Sequence, residues 1–307
     1  MCERVLRPGL SPLVLSALVS AGAVADDDGV WGWEVSSAGK GVSVQEFTSW
    51  VISTVPGLGN CLSRYVQDRF RSSEADPAKS CFLQAGKLCF NWSSLHGKGL
   101  SRFWSCVEGY KGPALFSKAG SDNVDAGRKW GLGVLTEDGF ENKDTFYGSS
   151  GFLCATYPIF RMLLPSGKEK NIMYCHLHTQ LKTYEATPKP LGLAFGGSIG
   201  NERIFIDEDF SKVTIRHHAV DKTYQHGSLI PNQGYLPVEA SVLDFEVWGL
   251  GGQTTKRQQD IFKKREDIFS GQRRKIDLAA FGNWEDSPEK MMMDMVSDPN
   301  KARREER

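Results

Sequence analysis

A chain of 307 residues is long enough for one large domain with extensions or for two small ones. Its 40% hydrophobic and 24% charged residues supply ample material for a buried core, as in a soluble globular protein. Lysine plus arginine and aspartate plus glutamate each number 37, so the formal net charge is zero. That excludes recruitment of nucleic acid or anionic membrane by a whole-protein field and leaves electrostatic recognition to local patches.

In chain order, Arg4 and Arg7 precede a mostly apolar run from Leu10 to Ala25 that closes on Ala23-Val24-Ala25. Basic, then apolar, then small residues is the layout of a secretory leader, and an amphipathic helix is the other reading of the same run. Residues 1–42 are accordingly assigned to a leader or a disordered N-terminus. No other stretch approaches the ~18 uninterrupted apolar residues of a membrane span. Residues 43–79 read as a short helical segment and linker. Val44, Phe47, Trp50 and Val51 recur at helical spacing, a break follows at Pro56-Gly57, and Leu62, Tyr65, Val66 and Phe70 repeat the pattern. The polar stretch 71–79 is the linker.

The main domain is expected over residues 80–252. It opens with a helix whose Leu100, Phe103, Trp104 and Val107 form one apolar face and which stops at Gly109. Eight short strand-like runs follow, at 113–118, 130–136, 152–156, 159–164, 172–177, 191–195, 203–206 and 242–248, separated by Gly, Pro and Asn. No crossover-length helix lies between them, so a parallel α/β sheet is disfavoured and an antiparallel sandwich or barrel is favoured. Residues 253–307 form a charged helical tail. Ile261, Ile268 and Lys275 follow one seven-residue step, and Phe262, Phe269 and Ile276 the next, making a narrow, largely apolar stripe. Eight basic and four acidic residues between 253 and 281 give this segment a local charge of 8 − 4 = +4.

Each group that could carry chemistry also has a plainer role. Gly192 to Gly200 is glycine-rich, but the strand-like Arg203-Ile204-Phe205-Ile206 follows it, so no helix N-terminus would face a phosphate; a tight β-hairpin fits better. In Cys175-His176-Leu177-His178, strand alternation sends the histidines to one face and the thiol to the other, and third and fourth zinc ligands are lacking; His217-His218 lies beyond further turns. Seven cysteines, an odd number with no CxxC pair, suit reduced buried thiols better than a disulfide framework. Cys106 sits near a helix C-terminus, where the dipole disfavours a thiolate, and Cys154 lies in an apolar strand. Glu202, Asp207, Glu208 and Asp209 lack the ligand spacing and central glycine of an EF-hand loop. No catalytic constellation, cofactor site or metal site is expected.

Several motifs nevertheless stand in one order. Ser94-Leu95-His96-Gly97 leads to Gly109-Tyr110-Lys111-Gly112-Pro113; Phe146-Tyr147-Gly148-Ser149 and Phe152-Leu153 follow, then Gly192 to Gly197 with the pair Gly196-Gly197. Ile204 to Phe210, with Asp207 and Asp209, and Asp244 to Gly249, with Glu246, Trp248 and Gly249, complete the series. Over about residues 81–252 this succession resembles the TLDc family, and both flanking segments resemble its lysosomal, EAK-type members. The resemblance implies an α+β fold, an antiparallel two-sheet β-sandwich with flanking helices, a helical N-terminal extension and a charged C-terminal helix. It implies a non-catalytic binding protein that engages the vacuolar-type proton ATPase, with roles in oxidative-stress resistance or growth signalling. A cytoplasmic monomer, with peripheral association at the lysosome or vacuole membrane allowed and no nucleic-acid partner, is the corresponding expectation. The partner-binding residues are expected on the C-terminal stripe: Ile261, Phe262, Ile268, Phe269 and Ile276, flanked by Lys263, Lys264 and Arg265. A thiol-based oxidant scavenger or weak redox enzyme, and a secreted β-sandwich ligand-binding domain, are the alternatives. The chain departs from the family pattern in an apparent insertion over 120–128 and in Thr187-Pro188-Lys189-Pro190 before the glycine-rich strand. Its N-terminus is short for a full EF-hand region, and Cys2 stands where myristoylation needs glycine.

Overall fold

The computed structural model describes residues 10–35, 39, 41–55, 88–92, 97–122, 128–148, 151–177, 189–282 and 290; the side chains at 28, 88–92, 115–122 and 275–282 are not described. The chain divides into two compact units, residues 1–257 and 258–307.

Among the described residues, eleven strands form one antiparallel ladder: β1 Leu88–Trp92, β2 Ala114–Asp122, β3 Lys129–Thr136, β4 Lys143–Tyr147, β5 Gly151–Tyr157, β6 Arg161–Leu163, β7 Met173–His176, β8 Gly192–Ser198, β9 Asn201–Asp207, β10 Lys212–Ile215 and β11 Val238–Gly249. The spatial order is β4-β7-β8-β9-β10-β11-β2-β3-β5-β6, with β1 also on β11. Long β11 joins the two layers. Its first residues pair with β10, its later ones with β1, and β2 runs along its other side across an irregularity between Val242 and Asp244. A local break in a ladder bends a strand, which lets one ribbon fold into a sandwich.

Period-2 alternation decides what lies between the layers. Trp130, Leu132 and Val134 of β3, Leu153 and Ala155 of β5, and Phe245 and Val247 of β11 face inward from one layer. Met173 and Cys175, Leu193 and Phe195, Ile204 and Ile206, and Val213 and Ile215 face inward from the other. All belong to a single hydrophobic cluster, so the fold is the expected α+β antiparallel sandwich. Helix α3, Leu100–Val107, closes one end of it. Leu100, Phe103 and Val107 are buried, and Phe103 meets Phe140 and Phe210 ring to ring at 4.8 and 5.7 Å. Glu108 caps the helix, and Gly109 follows at φ 75°, a conformation that glycine adopts without a Cβ penalty.

The structure adds detail in three further segments. The run assigned to a leader or disordered segment contains helix α1, Leu10–Ser20, and its apolar residues serve as core: Leu15 clusters with Val30 and Ile159. The Phe160 amide donates to the Pro12 carbonyl, and Arg161 pairs with Asp26. Helix α2, Val44–Thr54, starts at Ser43 with a reciprocal capping box to Glu46, and its buried Trp50 donates to Ser16 Oγ at 2.9 Å. The second helix expected near 62–70 lies outside the described residues. Finally, the apparent insertion over 120–128 is in part strand: the β2–β3 ladder continues through Gly120↔Trp130 to Ser121↔Lys129, so the hairpin is lengthened without a break in register.

Candidate interaction surface

The C-terminal helix α4 spans Gly252–Gly282. Its start is fixed by small-residue packing: Gly251 N–H donates to Tyr110 Oη at 2.6 Å, and Thr255 Oγ1 donates to the Gly251 carbonyl at 2.9 Å. A Cβ at Gly112 would lie 2.9 Å from Thr255 Cγ2, so the Gly112-Pro113 motif is a site of close approach.

At 100° per residue an unbroken helix sets the phase of every later side chain. Ile261, Phe262, Ile268 and Phe269 fall within about a third of the circumference. They are 37 to 60% exposed. Helical phase corrects the expected basic frame: Lys264 borders the stripe, Arg265 lies within it, and Lys263 is on the far side. Lys264 and Arg265 are exposed, as are Glu266 and Asp267. The side chain of Ile276 is not among those described.

The other motif residues are structural. Phe146 packs against Tyr174 at 5.5 Å, Tyr147 is buried with its hydroxyl accepting from the Glu141 amide, and Gly148 turns at φ 76° beside Met173. The glycine-rich segment is the β8–β9 hairpin. Gly196 and Gly197 sit at φ 69° and 79°, and a Cβ on Gly197 would lie 2.2 Å from the Asn201 carbonyl oxygen. Asp207 accepts from Ser211 N–H, Ser211 Oγ and Lys212 N–H, tying off the β9–β10 turn in which Asp209 is exposed. Phe210 is fully buried at φ 53° and packs on Phe245. Gly249 pairs with Ala114 and Leu88. Trp248 is 9% exposed and donates to Glu246 Oε2 at 3.0 Å. Burial pushes the Glu246 carboxyl up, and the Trp248 N–H partly offsets it.

Strand alternation points Arg203 away from the core and gave no sign of its partners. The loop after β10 covers it completely. Its guanidinium meets Asp221, the Gln225 carbonyl and the Gly227 carbonyl, and the Thr223 hydroxyl caps Asp221 at 2.6 Å. Burial alone would raise the Asp221 carboxyl, but hydrogen bonds from Thr223 and Arg203 prevail and hold it below its ordinary value. His218 stands 3.7 Å from the same carboxylate, and burial lowers its pKa despite that charge. The network holds a loop, and its charges are spent on each other.

The remaining reactive side chains are held apart. Cys175 is in the core and His176 on the opposite face beside Tyr174 and the Pro190 carbonyl, while His178 lies outside the described residues. Burial pushes both the Cys154 and Cys175 thiols up to about 12. Among the described residues no group of three His, Cys, Asp or Glu side chains is placed to hold a metal, and no helix is long and apolar enough to cross a membrane. In comparisons with known proteins, the TLDc domain family matches residues 77–251, more than half of the chain. No curated protein matches it.

Proposed function

This chain belongs to the TLDc domain family, and from that premise we propose that it is a non-catalytic binding protein of the EAK type that engages the vacuolar-type proton ATPase. Oxidative-stress resistance or growth signalling is the process it serves, at the cytoplasmic face of a lysosome or vacuole. The observation that carries the reading is the α4 stripe: four large apolar side chains, all more than a third exposed, on a helix with an excess of basic residues. Exposed apolar surface of this kind is costly to leave in water and is what a groove-binding helix presents. The partner groove should be apolar with an acidic rim, complementary to Lys264 and Arg265.

A sacrificial thiol needs an exposed cysteine of low pKa; of the three cysteines whose side chains are described, Cys154 and Cys175 have neither property and Cys106 is half-buried. The secreted reading drew on the apolar run at Leu10, whose residues are accounted for as core. The test is affinity capture of the full chain from lysate with mass spectrometry. Enrichment of proton-pump subunits is expected; their absence under conditions that preserve the pump removes the reading.

A further inference from the structure

The segment between β10 and β11 is anchored along its length. Arg216 N–H donates to the Arg203 carbonyl, Thr223 Oγ1 accepts from Gly197 N–H at 3.0 Å, Ser166 N–H donates to the Thr223 carbonyl, and Gln225 N–H donates to the Leu164 carbonyl. Arg161 holds the Ser228 carbonyl, Gln233 Nε2 donates to the Ile215 carbonyl, and Tyr224, Leu229 and Ile230 are buried. Yet three large side chains between these anchors stand in solvent: Val220 at 85%, Tyr235 at 68% and Leu236 at 82% exposed. The Tyr235 ring stacks on His217 at 4.8 Å, three residues before Val220, which ties the two ends of the segment together.

This exposure belongs to a well-held loop, so it is not the by-product of a loose one. Side chains more than four-fifths exposed protrude, and a protein partner would need a fitted socket for each. A bilayer interface needs no socket: it takes aliphatic tips below the headgroups and a tyrosine ring at their level. The surrounding charge fits an acidic surface. Lys222, Lys168 and Lys170 are exposed on the two loops that Ser166 joins, against Glu169 and the exposed Glu239 three residues from Leu236, while Arg203 and Arg216 are neutralised by Asp221 and Glu202. The local excess is therefore 3 − 2 = +1.

We propose that the loop tips bearing Val220, Tyr235 and Leu236 form a contact with the surface of an anionic phospholipid bilayer. This contact is separate from the α4 stripe and does not depend on it. The test is co-sedimentation of the full chain with phosphatidylcholine vesicles with and without phosphatidylserine. Wild type should sediment with the phosphatidylserine vesicles, and the double variant V220D/L236D should bind about tenfold more weakly, since two aliphatic insertions are replaced by charges. Both positions are exposed, so the melting temperature should not move; a clear drop would mean the side chains are packed and would overturn the proposal. Lys222→Gln should weaken binding and reduce its salt dependence, and Phe269→Asp should bind vesicles like wild type. Wild type that fails to sediment, V220D/L236D that sediments equally well, or loss of vesicle binding in Phe269→Asp alone would each overturn it.

Discussion

Gly197 and Gly200 share one backbone conformation and differ in surroundings, so their alanine variants separate backbone strain from steric contact. Both sit at positive φ, 79° and 83°. Alanine there costs about 1 kcal/mol, because the left-handed region crowds Cβ against the carbonyl. Around Gly200 a new Cβ meets nothing within 4 Å. At Gly197 it would lie 2.2 Å from the Asn201 carbonyl oxygen and 3.0 Å from Glu202 Cα, both backbone atoms of the facing strand. Relief requires β9 to retreat by about 1 Å, which breaks the last two rungs of the hairpin at about 1 kcal/mol each. Gly200→Ala should therefore lose about 1 kcal/mol and Gly197→Ala about 3 kcal/mol or more. In a domain of this size that corresponds to falls in melting temperature of roughly 3 °C and 9 °C. Urea denaturation of the three proteins measures the difference directly. Equal losses would show that the glycine pair is not held by the hairpin, and saturable nucleotide binding by calorimetry would return it to a ligand-binding role.

Two further expectations concern buried polar groups. Trp248→Phe keeps most of the ring but removes the donor to Glu246, so it should lose about 1–3 kcal/mol at pH 8. The loss should shrink as pH falls through the raised folded pKa of Glu246, because the protonated carboxyl no longer needs the donor; a pH-independent loss would contradict this. For His218, whose folded pKa lies below its ordinary 6.5, the unfolded chain binds the extra proton, so stability should decline as pH falls through that value. His218→Gln should flatten that part of a melting-temperature profile between pH 7.5 and 5.5, and an unchanged slope would assign the decline to other groups.

Patterning made most of the sandwich legible, because a strand buried on one face must alternate. The strands it missed, β1, β4 and β10, have only four or five residues each, too few for a period to stand out. Edge strand β4 reads Lys-Asp-Thr-Phe-Tyr and buries only Tyr147, and β10 has four residues after a turn. The same rule turns Arg203 away from the core and says nothing of its partners, since alternation describes one sheet and is blind to a loop that later covers its outer face. The apolar run at Leu10 was ambiguous for a related reason: a leader and a packed helix use the same residues, and its contacts with Ile159 and Trp50, far away in sequence, cannot be read from the run itself. On α4 the seven-residue step revealed the stripe, but placing Arg265 inside it required the helix to be continuous.

The central claim, that the α4 stripe is a partner-binding element, rests most directly on Phe269. Its side chain is 53% exposed, so Phe269→Asp should leave the melting temperature of the full chain unchanged. In parallel capture experiments the variant should lose the proton-pump subunits that wild type enriches. A variant that melts several degrees lower yet still captures the pump would contradict the account, making Phe269 a packing residue and moving the interface to the sandwich.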